Sequence, residues 1–154
     1  MRITILSIGK FENSPHKAVF EHYLKRLKWK VELKEIELRN SDKLSLAERK
    51  VGEGELLLKA LNASSKLIVC DENGENLKSK NFAKLISDFA IRGDSNLTFV
   101  IGGSDGLSLE ILQKAKLKIA FGAMTLPHLM VRSILIEQLY RAQTIIEGHP
   151  YHRE

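Results

Sequence analysis

Three stretches of this chain combine residue types that chemistry needs. The first is IGGSDGLS, Ile101 to Ser108. Adjacent glycines at the end of an apolar run let a ligand approach the backbone without interference from a Cβ, and a helix start follows, which is the setting for nucleotide or cofactor binding. The spacing G-G-x-x-G is neither the dinucleotide fingerprint nor a phosphate loop with its lysine. A tight strand-to-helix turn needing positive φ would use the same glycines. The second stretch is FGAMTLPH, Phe121 to His128. An uncharged, mainly apolar loop before a long helix is either buried against another subunit or covers an apolar ligand, and a flat heteroaromatic ring would satisfy its backbone groups.

The third is HPYHRE, His149 to Glu154. Two histidines, a tyrosine and an arginine in six residues suit stacking on a base and contact with phosphate. His149 and His152 also have a metal-ligand spacing, but no further His or Cys lies near them, and no metal site is expected. On the preceding helix, Arg132 and Arg141 are candidates for meeting phosphate, although Glu137 and Arg141 at i,i+4 also make an ordinary surface pair. Tyr23, Lys25, Arg26, Lys28, Trp29 and Lys30 interleave aromatics with charge, as an RNA-contact patch does and as a solvated helix end also does.

The elements that must hold these stretches follow from periodicity. Ile3 to Ile8, Val31 to Leu38, Leu67 to Cys70, Leu97 to Ile101 and Lys118 to Phe121 read as strands. Between them lie helical stripes. Ser14–Pro15 opens Val19, Phe20, Tyr23, Leu24 and Leu27, and the Ser45/Glu48 capping box opens Ala47, Val51, Gly54, Leu58 and Leu61. Phe82, Leu85, Ile86 and Phe89 mark a third, and a short helix follows Ser108. Pro127 opens a long one, roughly His128 to Ile146, whose Val131, Ile134, Leu135, Gln138, Leu139, Ala142, Ile145 and Ile146 form one stripe, widened by Met130 and Ile136. A helix this apolar has two interfaces, so a homodimer contact is expected. The alternation predicts one α/β domain over residues 1–154, a mostly parallel sheet with helices on both faces. Ligands in such sheets sit at the carboxyl ends of strands, which is where the glycine and MTLP loops fall.

Composition agrees with that class. The 154 residues are 44% hydrophobic and 28% charged, which excludes disorder, collagen and coiled coil. A single cysteine excludes a disulfide framework and points to a reducing, cytoplasmic setting. No apolar run approaches the ~20 residues of a membrane span, and MRITILSIGK reads as a first strand rather than a signal peptide. Net charge is +5, with 13 basic and 9 acidic side chains in residues 1–65 against 11 and 10 in the rest. That excess suits a polyanionic partner.

Taken together and in this order, IGGSDGLS, MTLPH, LIEQLYRA and the terminal HPYHRE resemble the small SPOUT-class methyltransferases that methylate a pseudouridine of large-subunit ribosomal RNA. The likeness runs over essentially the whole chain. It implies an α/β fold with a C-terminal trefoil knot, which periodicity does not suggest because knots are nearly absent from proteins. It implies a homodimer that binds S-adenosylmethionine and acts on ribosomal RNA within the ribosome, without metal or membrane. Matched by motif, the cofactor positions are Cys70 (often Leu in the family), Gly102, Gly103, Phe121, Gly122, Ala123, Met124, Thr125 and Leu126. The implied reaction methylates N3 of the pseudouridine, so a proton must leave. His152 or His128 is the candidate base or relay, and Arg153 or Arg141 the group that stabilises the developing anion. The tail Tyr151 to Arg153 is expected to reach over the cofactor of the other subunit. Two alternatives are an RNA-binding protein of the same fold without catalysis and a SPOUT enzyme acting on transfer RNA.

Overall fold

A computed structural model describes residues 1–12 and 14–153. The strands are β1 (Arg2–Ile8), β2 (Lys30–Ile36), β3 (Lys66–Asn76), β4 (Asn96–Ile101) and β5 (Leu117–Ala120). The helices are α1 (Pro15–Leu24), α2 (Leu46–Ala60), α3 (Ser79–Ile91), α4 (Leu109–Lys114) and α5 (His128–Ile146). All four strand pairings are parallel, in the order β2-β1-β4-β3-β5. Parallel neighbours need crossovers, and the helices supply them.

Strand side chains alternate between two cores, as a pleat buried on both faces requires. Ile3, Ile5, Ile68, Leu97, Phe99 and Ile101 pack against α1, α3 and α5 through Phe20, Phe82, Ile86, Leu135 and Leu139. Leu6, Ile8, Leu67, Val69 and Val100 face α2 and α4 through Leu57 and Ile111. The helix starts behave as their capping chemistry dictates. Ser14 accepts from the His16 amide, and the Ser45/Glu48 box closes in both directions.

The structure departs from the sequence expectation at several element ends and faces. Strand β3 does not end at Asp71 but continues to Asn76, with its pairing to β5 shifted between Cys70 and Glu75. A Cβ at Gly74 would lie 2.6 Å from the Ile119 carbonyl carbon, so only glycine lets the two backbones come this close. Strand β2 stops at Ile36 rather than Leu38, and β5 at Ala120 rather than Phe121. On α2 the buried positions are Gly54 and Leu57, and Val51 is exposed. On α1 Val19 is exposed as well, leaving Phe20 as the buried anchor.

Helix α5 has the expected bounds, but its buried face is centred on Arg132, Leu135, Ile136, Leu139, Ala142 and Gln143. Val131, Ile134, Gln138 and Ile145 are only half-buried along its flank.

Candidate cofactor cleft and tail cluster

A cleft of about 530 Å³ opens at the carboxyl ends of β4 and β5, against residues 70–72 in the middle of β3. That volume lies within the range of small-molecule sites. Cys70 forms one wall, Gly102 and Gly103 the back, and Phe121, Gly122, Met124, Thr125 and Leu126 the opposite side, with His128 and Val131 at the start of α5. Eight of the nine motif-matched cofactor positions therefore meet in one cavity. Ala123 is the exception: it is exposed and lies outside the lining.

The glycine loop is held by its own backbone. Gly103 and Gly106 pair as an antiparallel bridge, the Gly106 amide donating to the Gly103 carbonyl at 3.1 Å. Gly106 has φ +80, where a side chain is strained. A Cβ on Gly102 would lie 3.0 Å from the Gly106 carbonyl carbon, a tight contact that would press on the closed loop as well as on an approaching ligand. Arg49 on α2 braces the loop from behind: its Nε donates to Asp105 Oδ2 at 2.7 Å, and that hydrogen bond holds the Asp105 carboxyl below its usual range. Glu53 lies beside Gly103 on the same helix; partial burial raises its proton affinity, with help from the Asp105 charge.

On the other side, Thr125 donates to Glu72 at 2.8 Å, joining the apolar loop to the β3 extension. Among the described residues, no backbone–backbone hydrogen bond outside the strand ladder involves residues 122–126. Their N–H and C=O groups are left for solvent or a bound ring.

The lining charges have one sign. Asp71, Glu72 and Asp105 contribute carboxylates, and among the described residues no Lys or Arg lines the cavity. The Cys70 thiol is pushed well above its ordinary range by burial, so it is a neutral apolar contact rather than a thiolate nucleophile. His128 is held below its ordinary range, first by partial burial and then by the Arg132 charge, and is a neutral imidazole near pH 7. Because the folded chain resists protonating His128, it binds fewer protons than the unfolded chain near pH 6. Stability therefore falls as pH drops through the ordinary histidine range. Between about pH 7.5 and 5.5 the wild type should lose more Tm than His128→Gln, as thermal melts at the two pH values would read.

Arg132, one of the two candidates for meeting phosphate, is instead fully buried. Its Nη2 donates to the Ile8 carbonyl at 2.5 Å and the Gly9 carbonyl at 2.9 Å, and its Nη1 to Glu35 at 3.0 Å. It ties the end of β1 to the start of α5 and stands over the Phe11 ring. Nothing in the sequence marks it as buried, because the carbonyls it satisfies lie 124 and 123 positions away.

The remaining candidates gather at the other end of α5. Tyr151 lies against Tyr140, ring centroids 4.8 Å apart, and its hydroxyl is 3.0 Å from Glu137 and 3.2 Å from the Tyr23 hydroxyl. Arg141 stands over the Tyr151 ring and approaches His152 Nδ1 at 3.3 Å. Arg26 stacks on Tyr140 at 4.4 Å, which puts the N-terminal basic segment beside the tail. Arg153 is exposed, and Glu154 lies outside the described residues. Burial and the hydrogen bonds with Tyr23 and Glu137 push the Tyr151 phenol well above its usual range, so it stays protonated. His128 and Arg141 are 13 residues apart on one helix, about 20 Å along its axis. Within a single chain the cleft and the tail are thus two separate places.

The family model described as "Predicted SPOUT methyltransferase" matches residues 1–152. The chain belongs to the SPOUT methyltransferase family. Curated relatives are similar over their full length. A protein of Carboxydothermus hydrogenoformans named "Ribosomal RNA large subunit methyltransferase H" is 46% identical, over 99% of this chain and 100% of its own. Its namesake in Rhodospirillum centenum is 42% identical over 99% of both chains. Among solved structures, a probable methylase family protein from Haemophilus influenzae superposes with a TM-score of 0.57 at 14% identity, covering 99% of this chain and 70% of that one, which shows a likeness of fold alone. Among the described residues of this SPOUT chain, no helix is long and apolar enough to cross a membrane.

Proposed function

We propose that this chain methylates N3 of a pseudouridine in large-subunit ribosomal RNA, using S-adenosylmethionine, as a homodimer acting on the ribosome. The observation that carries the donor assignment is the cleft itself. It combines a glycine-backed wall, a loop with uncommitted backbone groups, and the carboxylates of Asp71 and Glu72 beside an Asp105 already paired with Arg49, with no Lys or Arg among the described lining residues. A donor with a sulfonium and an ammonium group fits that field, and an RNA phosphate does not. The names of the full-length relatives support ribosomal RNA as the acceptor.

When bound, S-adenosylmethionine supplies a methyl group already activated by its positive sulfur. The chain's own residues bind, align and exclude water. Leu126, Met124 and Val131 cover the apolar side, and the glycine loop sets how close a ligand comes to the backbone. The N3 proton must leave as the new N–C bond forms. His128, neutral and at the cleft, can take it directly; His152, carried by the tail, is the other base. The phenol of Tyr151 remains a donor. The roughly 20 Å between His128 and Arg141 of one chain supports a composite site, in which the tail of one copy completes the cleft of the other. There Arg141 and Arg153 oppose the negative charge that develops on the deprotonated base. Lys25 and Lys30, exposed on the segment that carries Arg26, and Lys28, paired with Glu147 at 2.7 Å, hold the RNA backbone. The trefoil threading implied by the resemblance belongs to this same reading.

Arg153→Ala should lower methyl transfer by at least about tenfold while donor affinity stays near wild type, since Arg153 acts on the acceptor side only. Transfer kinetics paired with calorimetry of S-adenosylmethionine binding measure both. Equal loss of the two would make the tail a structural cover instead.

A further inference from the structure

We propose that Glu137 is the positioning residue of the tail, holding Arg141 and Tyr151 in the arrangement in which they meet the RNA base. One carboxylate oxygen, Oε1, accepts from three donors: Arg141 Nε at 3.0 Å, Arg141 Nη2 at 2.5 Å and the Tyr151 hydroxyl at 3.0 Å. The other, Oε2, accepts from the Gln138 amide at 2.7 Å, and Gln138 in turn accepts from Ser79 on α3 at 2.9 Å. The Glu137 side chain is 17% exposed and that of Arg141 25%, so this is not a solvated i,i+4 pair. Arg141 is fixed in orientation: Glu137 takes its Nε and Nη2 edge, the Tyr151 ring lies against its face, and Nη1 points to His152.

The spacing has a chemical consequence. Arg26 and Arg141 bring positive charge to the rings of Tyr140 and Tyr151, and Glu137 is the carboxylate that fixes where one of those charges points. It does not touch the acceptor; it acts through Arg141 and Tyr151. A planar fork whose Nε and Nη2 face Glu137 holds Nη1, beside His152, as the nitrogen left to meet the base. Loss of that anchor lets the guanidinium rotate, and misplacement of this kind costs rate more than binding.

This inference rests on the methyl-transfer reading. The test is steady-state transfer to ribosomes at saturating donor by wild type, Glu137→Gln, Arg141→Lys and the double variant, with Tm recorded for each. Glu137→Gln should lower kcat at least about tenfold and leave KM for the ribosome within about twofold. The double variant should lose less than the product of the two single losses, because both changes break one contact. A kcat for Glu137→Gln within about twofold of wild type, or losses that multiply, would overturn the assignment. Should Glu137→Gln not stay folded at the assay temperature, Glu137→Asp is judged by the same kcat and KM criteria. Failure of the underlying reading looks different: the wild type itself would not turn over.

Discussion

Gly102→Val should abolish donor binding, weakening affinity for S-adenosylmethionine at least about 100-fold, which is close to 2.7 kcal/mol. The cause is steric. A Cβ alone at this position would stand 3.0 Å from the Gly106 carbonyl carbon, 3.1 Å from its oxygen and 3.2 Å from Leu107 Cδ2. Valine adds two methyl groups beyond that Cβ, so the loop must open and the Gly103–Gly106 bridge is lost. The opened loop then moves Asp105 away from Arg49 and pushes backbone into the back of the cleft. Because the β4 strand behind it is packed on both faces, the displacement falls on the loop and not on the core. Calorimetric titration with S-adenosylmethionine reads the effect, and a melt shows that the chain is folded. Affinity within about threefold of wild type would remove the glycine loop from the site.

Arg132→Met should be strongly destabilising, costing about 3 kcal/mol. Methionine fills most of the volume, so cavity formation contributes little. Two effects oppose each other. Removing the guanidinium relieves the cost of burying its charge, which burial already signals by lowering the Arg132 pKa. Against this, the carbonyls of Ile8 and Gly9 lose their Arg132 donors inside the structure, and Glu35, 30% exposed and still bonded to the Phe11 amide, loses its countercharge. Orphaned buried groups cost more than the relief returns. The expected Tm loss is about 6–12 °C for a chain of this size. Arg132→Lys, which keeps charge but cannot reach three acceptors, should fall between. A Tm for the methionine variant at or above wild type would mean that Arg132 does not anchor β1 to α5.

These two residues also mark how far the sequence could be read. Gly102 was legible, since paired glycines directly after a buried strand signal a close backbone approach, and Pro127 with the apolar period behind it placed α5 correctly. Arg132 was not. A charged residue on a helix reads as a solvated one, and its burial follows from carbonyls at the end of β1, brought next to α5 only by the sheet order. The β3 extension failed for the opposite reason. DENGEN has the composition of a turn, yet the segment stays extended because Gly74 fits against the backbone of β5. The tail residues are legible by type, but their separation from the cleft depends on Tyr151 packing against Tyr23 and Tyr140 of its own chain, contacts that no local pattern marks.

An acidic cleft suits a cationic donor, and a basic, aromatic tail suits RNA; the two halves of the proposed reaction are divided between them. The most direct test is transfer of labelled methyl from S-adenosylmethionine to ribosomes lacking this modification, followed by reverse transcription. Methylation at N3 blocks the pairing edge of the base. The expected result is label in large-subunit RNA and one new stop, at a pseudouridine. No incorporation into intact ribosomes, or label confined to transfer RNA, would contradict it.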